Sequence, residues 1–356
     1  MKISILLPYK ENFSPTYAGA VSLNINEILK ISRYNKYTTV FGSTKFTKKF
    51  NHKYKNINFK KKIFQSQNRN YVNKFIEIEK KVASNIIELH NRPIYLKYLI
   101  KDLQNKNYIL YFHNDPLSMS GSKTINERIF LLNNCYRIIF NSNWSKKRFL
   151  QKIKSDAVNS EKLLVINQSA TKNKINFKNK KKIITFVGKL NRSKGYDLFG
   201  KAIIKILKNY KDWSAYVVGD EPRDQLEFNH DRLFKLGFKE HNEVIDIYKK
   251  TSIAVVCSRW EEPFGRTSLE AASNGCAVII SNKGGLPDTI TNGIILKKLN
   301  ISNVYKEINK LINNVHLRKS LQKLSRKNFY LTHKYVSGLI DQIRNEKLNI
   351  KKLINV

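Results

Sequence analysis

The sequence predicts an α/β protein made of two doubly wound, Rossmann-like domains facing a central cleft. Three observations lead to that class. Short apolar runs alternate with amphipathic stretches, the pattern of a parallel sheet covered by helices on both faces. The alternation restarts after a basic segment, NKINFKNKKK at residues 173–182. Each expected strand ends in a polar or Gly-rich loop, where open α/β sheets bind ligands.

In order along the chain, ISILL (3–7) reads as a strand, followed by a Gly-containing loop and the helical AVSLNINEILKISRY (20–34). Further strands are TTVFG (38–42), IIELH (86–90), YILYFH (108–113) and YRIIFNS (136–142), the last leading into the helical NWSKKRFLQKI. After the basic segment come the strand KIITFVG (182–188), the helix YDLFGKAIIKILKNY (196–210) and the strand SAYVVGD (214–220). VIDIYKKT (244–251) is helical, IAVVCS (253–258) a strand, TSLEAASNG (267–275) a short helix and AVIIS (277–281) a strand. From about residue 301 the chain reads as helical to its end. The expected domains are 1–172 and 173–335, with a last helix over 336–356. No repeat of short fixed period is present.

At 356 residues the chain is long enough for two cores, and its 41% hydrophobic and 11% aromatic content is that of a globular protein. No apolar run nears the ~20 residues needed to span a bilayer. The apolar start of MKISILLPYKEN is too short for a signal segment, so a cytoplasmic location is expected. Cys135, Cys257 and Cys276 are scattered and odd in number, which points to buried free thiols and to no metal centre. The net charge of +39 admits three explanations. A lysine-, asparagine- and isoleucine-rich composition explains it without function. An anionic membrane face would attract it, at about 1 kcal/mol per basic residue near the surface. Nucleic acid would too, but no zinc-finger or RNA-binding signature accompanies the charge, so no nucleic acid is expected as a partner.

The chemistry-bearing stretch is EEPFGRTSLEAASNG (261–275). Pro263 disfavours helix at Glu262, which places that acid in the loop after IAVVCS. Gly265 permits a tight turn, and a helix starts near Arg266 or Thr267. Its first turn carries unpaired amides and partial positive charge, a ready anion site. Glu270, one turn in, suits sugar hydroxyls rather than phosphate; complementing the helix dipole would explain it equally well. In FVGKLNRSKGYDL (186–198) a strand-to-helix loop carries Lys189, Arg192 and Lys194, a cationic cluster suited to a diphosphate but not a Walker A motif. In NKGGLPD (282–288), Gly284 and Gly285 let backbone amides approach a ligand, or simply form a turn.

Taken in order, VGKLNRSKGYDL, LGFKEHNEVIDIYKKTSIAVVCS and EEPFGRTSLEAASNGCAVIISNKGGLPD resemble the donor half of the GT-B glycosyltransferases, in particular the retaining family 4 (GT4). Its hallmark is two glutamates separated by seven residues, here Glu262 and Glu270. More weakly, LPYKENFSPTYAGAVSLNINEI, IIELHNRP and YFHNDPLSM resemble the acceptor-binding half, in a subgroup acting on lipopolysaccharide and other cell-surface glycans.

The resemblance implies a nucleotide-sugar donor bound by residues 173–335 and an acceptor bound by residues 1–172, with the last helix crossing back to the first domain. It assigns Lys194 to the donor diphosphate, and Lys189 to a position usually held by Arg, where the bidentate fork is lost. Glu270 matches the acid on the nucleotide ribose, and Glu262 the acid near the sugar hydroxyls. Amides of Phe264, Gly265 and Arg266 would lie near sugar or phosphate, Gly19 near the phosphates, and His113 would face the donor sugar. Ala20 and Asp288 depart from the frequent Gly and Glu. The implied reaction moves a hexose from a UDP- or GDP-linked donor to a glycan or lipid-linked acceptor of the cell envelope. No metal or other cofactor is implied, and no Asp-x-Asp pair is present. Peripheral association with the inner face of the cytoplasmic membrane would suit the basic surface. Two rival functions are a GT-B nucleotide-sugar epimerase, and a basic nucleic-acid-binding protein that would need neither glutamate nor His113.

Overall fold

The computed structural model describes residues 2–16, 18–59, 66–155, 158–224 and 226–348. It divides into two compact units: one holds the chain up to Ser169 together with the segment from His333 onward, the other Ala170–Thr332. The first division falls three residues before the expected 172/173, and the second before the expected 335/336.

The first unit is a parallel sheet. Among the described residues its strands are β1 (Ile3–Leu6), β2 (Thr38–Gly42), β3 (Tyr54–Asn56), β4 (Ile86–His90), β5 (Asn107–Phe112), β6 (Arg137–Phe140) and β7 (Leu163–Val165), in the order β3-β2-β1-β4-β5-β6-β7. β1 and β4 are buried along their whole length, as a sheet covered on both faces requires. The covering helices are α1 (Ala20–Leu29), α2 (Gln67–Val82), α3 (Ile94–Leu99), α4 (Ile125–Asn134) and α5 (Asn143–Leu150). Strand order reverses between β1 and β4, so the loops leaving these two strands flank the switch point where doubly wound sheets bind ligands. α2 is an element not expected from the sequence. Its apolar Tyr71, Val72, Phe75 and Ile76 face the core at helical spacing, and Ser66 caps its first turn by accepting from the Arg69 amide. Glu79 on its inner face is fully buried, accepting from Ser4 (2.6 Å) and from the Ser84 amide (2.8 Å).

The second unit is also parallel: β8 (Ile183–Val187), β9 (Ser214–Val218), β10 (Leu233–Lys235), β11 (Ile253–Val256), β12 (Ala277–Ser281) and β13 (Ile294–Leu296), in the order β10-β9-β8-β11-β12-β13. Its switch point lies between β8 and β11. The helices are α6 (Tyr196–Asn209), α7 (His241–Lys250), α8 (Arg266–Ser273), α9 (Ile301–Asn313) and α10 (Val315–Lys327). The basic run 173–182 belongs to this unit and is not a loose tether. Half-buried Lys180 donates to the carbonyls of Asn274 (2.7 Å) and Tyr248 (2.9 Å), at the carboxyl ends of two helices of this unit.

The C-terminal region is three helices rather than one. α9 gives way to α10 at Asn314, which caps it by accepting from the Leu317 amide. α10 stops before residues 328–332, where Phe329 and Leu331 turn inward and the Leu331 carbonyl takes the Ala170 amide. α11 (His333–Leu348) then packs within the first unit. The part of the expected tail helix beyond 348 lies outside the described residues. All three cysteines are free and buried, and burial pushes the Cys135 and Cys257 thiols up to about 12. Among the described residues no helix is long and apolar enough to cross a membrane.

Candidate active site

In the second unit three loops meet, those leaving the adjacent strands β8, β11 and β12. Gly195, at φ +77°, opens α6, and a Cβ there would lie 1.9 Å from the Cys257 carbonyl oxygen. Only glycine lets the β8 loop lie that close to the β11 loop. The Ser193 carbonyl then accepts from the amides of Arg259 (2.8 Å) and Trp260 (3.0 Å). Arg259 donates to Asp197 (2.7 Å) and to the Arg192 carbonyl (2.7 Å). So joined, the two loops bring Lys194 Nζ to 2.5 Å from Glu262 Oε1, with the side chains only 30% and 13% exposed.

The β12 loop closes on the same place. Gly284 stands at φ +58°, and a Cβ there would lie 2.0 Å from the Glu262 carbonyl oxygen. The Gly284 amide donates to Glu261 (2.6 Å) and the Gly285 amide to the Glu262 carbonyl (2.6 Å). Of the two readings the sequence left open, a ligand contact or a plain turn, these bonds make the turn, and it braces the backbone that carries Glu262.

Gly265, at φ +125°, starts α8, and a Cβ there would meet Leu286 at 2.5 Å. Phe264 before it is buried and anchors the turn. Arg266 is the first residue of α8 and donates back to Glu270 Oε1 at 3.0 Å. His241, the first residue of α7, meets the same oxygen through Nε2 at 2.8 Å. Glu270 is buried; burial pushes its carboxyl up, but Arg266 and then His241 outweigh that and hold it below the ordinary carboxylate range. Glu270 is therefore an ionised acid fixed by the Arg266 guanidinium and the His241 ring. His241 was missed from sequence. It lies 29 residues from its partner, and no local pattern marks it. Lys189 stands exposed on the β8 loop.

The remaining two candidates belong to the first unit. Gly19 caps α1, and a Cβ there would lie 2.3 Å from Glu11 Oε1, the oxygen that accepts from the Ser22 amide at 2.9 Å. The start of α1 thus already holds an anion, the Glu11 carboxylate. His113 follows β5, and its backbone is clamped between Asn91 Oδ1 (3.2 Å) and Asn141 Nδ2 (2.9 Å). Its ring contacts His90, the last residue of β4, at 3.0 Å between Nε2 and Nδ1. Burial, then the His90 ring, pushes His113 well below the ordinary histidine range.

Two parallel sheets have polar loops at their strand carboxyl ends, and the second carries a glutamate pair after β11: Glu262 on the loop and Glu270 within α8, which follows it. Residues 167–328, just under half of the chain, match the family described as glycosyl transferases group 1, and the fold class is GT-B. It is 28% identical over 196 residues to an uncharacterized glycosyltransferase, MJ1607, of Methanocaldococcus jannaschii, covering 51% of this chain and 48% of that one. It is 32% identical over 123 residues to the lipopolysaccharide core biosynthesis mannosyltransferase LpsB of Rhizobium meliloti, covering 32% of this chain and 35% of that one. The chain thus matches about half or less of the length of these two relatives. Its fold superposes on Anabaena HepE, solved with UDP and glucose, with a TM-score of 0.72 at 18% identity over 97% of this chain and 99% of that one.

Proposed function

We propose that this chain is a retaining, metal-independent glycosyltransferase. It moves a sugar from a nucleotide-sugar to a hydroxyl of a cell-envelope glycan, such as lipopolysaccharide or a lipid-linked saccharide. The observation that carries the proposal is the Lys194–Glu262 pair at the switch point of the second sheet, eight residues before the pinned Glu270. In this account Glu270 accepts the ribose hydroxyls. Lys194 leaves Glu262 for the diphosphate, and Glu262 takes up sugar hydroxyls. Lys189 and the first-turn amides of α8 add positive potential where the diphosphate departs. The bond from the anomeric carbon to the diphosphate oxygen breaks. The acceptor oxygen bonds the same carbon from the same face, and its proton passes to the departing diphosphate. Gly19 is assigned to the donor phosphates and His113 to the donor sugar.

UDP is the first nucleotide to try, because the Anabaena protein of this fold was solved in complex with it. LpsB supports an envelope acceptor in the same limited way. The test is release of nucleoside diphosphate from UDP- and GDP-sugars, with and without a lipid-linked saccharide acceptor and in the presence of a chelator. Acceptor-dependent release that survives the chelator supports the proposal; release that needs an added divalent ion removes the metal-independent part. A product of inverted anomeric configuration removes the retaining part.

A further inference from the structure

Behind His113 runs a file of buried polar groups. Arg344 of α11 donates to both oxygens of Glu88, at 2.7 and 2.9 Å. Glu88 Oε2 lies 3.9 Å from His90 Nε2, an atom with no hydrogen-bond partner. His90 Nδ1 meets His113 Nε2 at 3.0 Å, and His113 Nδ1 faces the Gln168 amide nitrogen at 3.5 Å. The rings are held flat: His90 stacks on Tyr111 at 4.3 Å and on His113 at 5.3 Å. Each of these side chains is at most 9% exposed.

The placement of protons in this file is constrained. A lone pair on His90 Nε2 would point at an ionised carboxylate in a dry interior, whereas an N–H there is attracted to it. The proton of neutral His90 therefore sits on Nε2, and Nδ1 is left as an acceptor. A neutral ring carries one N–H, so His113 Nε2 must donate across the 3.0 Å contact. His113 Nδ1 then keeps its lone pair, which agrees with the amide nitrogen of Gln168 facing it. Burial lowers both histidines, which keeps both rings neutral. Every link points the same way, from Gln168 through His113 and His90 to Glu88.

We propose that His90, oriented by the Arg344–Glu88 pair, is a positioning residue that locks His113 as the Nε2–H tautomer and leaves its Nδ1 as an acceptor. His113 borders a small, mostly apolar cavity that Asn24, Asn141 and Gln168 also line. Once the long 3.5 Å contact to Gln168 is given up, the Nδ1 lone pair accepts a hydroxyl proton and repels a carboxylate, so the group it selects on a sugar is a hydroxyl. This last step rests on the proposed glycosyl transfer; the tautomer does not.

The experiment is a two-bond nitrogen–proton correlation spectrum of the full chain labelled with 15N-histidine, with the rings assigned by His90→Phe and His113→Asn. Both rings are expected as neutral Nε2–H tautomers between about pH 6 and 8. His113 found as the Nδ1–H tautomer, or charged, overturns the proposal. His90→Phe keeps the flat ring but removes the acceptor, so His113 should turn to a mixture of tautomers. An unchanged His113 signal in that variant also overturns it. If the chain transfers sugar, kcat/KM in His90→Phe should fall about 10–100-fold. The expected tautomers in a chain that transfers no sugar would sustain the relay and sink the glycosyl-transfer account alone.

Discussion

Glu270 and Lys194 make opposite demands on a mutation. Glu270 is buried between Arg266 and His241, so Glu270→Ala takes from both the acceptor they share and removes an acceptor from the proposed ribose site. Hydrogen bonds to charged groups are worth about 1.5–3 kcal/mol, so nucleotide affinity should fall about 10–100-fold by calorimetric titration. Lys194→Met should instead leave folding nearly intact, since its partner Glu262 retains a route to water at 13% exposure. It should weaken binding of the nucleoside diphosphate far more than that of the nucleoside. Equal loss for both ligands would place Lys194 away from the phosphates. The two glutamates were legible from their spacing and from Pro263 and Gly265. Their neighbours were not. His241 meets Glu270 across 29 residues, and Arg259 meets Asp197 across 62, because the sheet sets elements far apart in sequence side by side.

At the scale of elements, the glycines at loop crossings decide whether the site assembles. Gly195→Ala would put a Cβ into the Cys257 carbonyl at a positive φ, and Gly284→Ala into the Glu262 carbonyl. Each should cost about 1–3 kcal/mol, read as a lower urea midpoint, and should weaken nucleotide binding as well. Gly237→Ala is the control: its φ is also positive at +65°, but nothing lies within 4 Å, so only the backbone strain remains. Strands buried on both faces announced themselves as apolar runs, which is why β1, β4, β8, β11 and β12 were all legible. The edge strands β3 and β10 have three residues each and exposed, charged positions. Three residues carry no period. α2 was readable from its Tyr71, Val72, Phe75 and Ile76 spacing. The break of the C-terminal helices at 328–332 was not, because no Gly or Pro marks it; buried Phe329 and Leu331 do, and burial is a tertiary fact.

In the whole molecule, one buried pair ties the chain's end to its start. Arg344 of α11 holds Glu88 of β4, and Asp341 accepts from Ser32 at 2.6 Å just after α1. Burial raises the Glu88 carboxyl, but Arg344 outweighs it and holds the group down at about 2 against an ordinary 4.5. The folded value is depressed, so the stability this gives is present above about pH 4.5 and lost as pH falls toward 2. Arg344→Leu leaves a buried carboxylate without its partner and should cost about 3–5 kcal/mol. Its deficit relative to the wild type should shrink as pH falls and the buried Glu88 takes up a proton, followed by circular dichroism. Glu88→Leu with Arg344→Leu should recover most of that loss. The net charge of +39 acts on the entire chain: self-repulsion should make the midpoint of thermal unfolding rise with added salt.

The measurement that bears most directly on the account is thermal unfolding of the wild type and Glu270→Ala at moderate salt with UDP, GDP, ADP and a short nucleic acid. A nucleotide at 100 times its Kd should stabilise the wild type by about 2.7 kcal/mol. The account predicts that one nucleotide does so and that Glu270→Ala loses most of the effect. Stabilisation of both proteins alike by nucleic acid, with no response to any nucleotide, would contradict it.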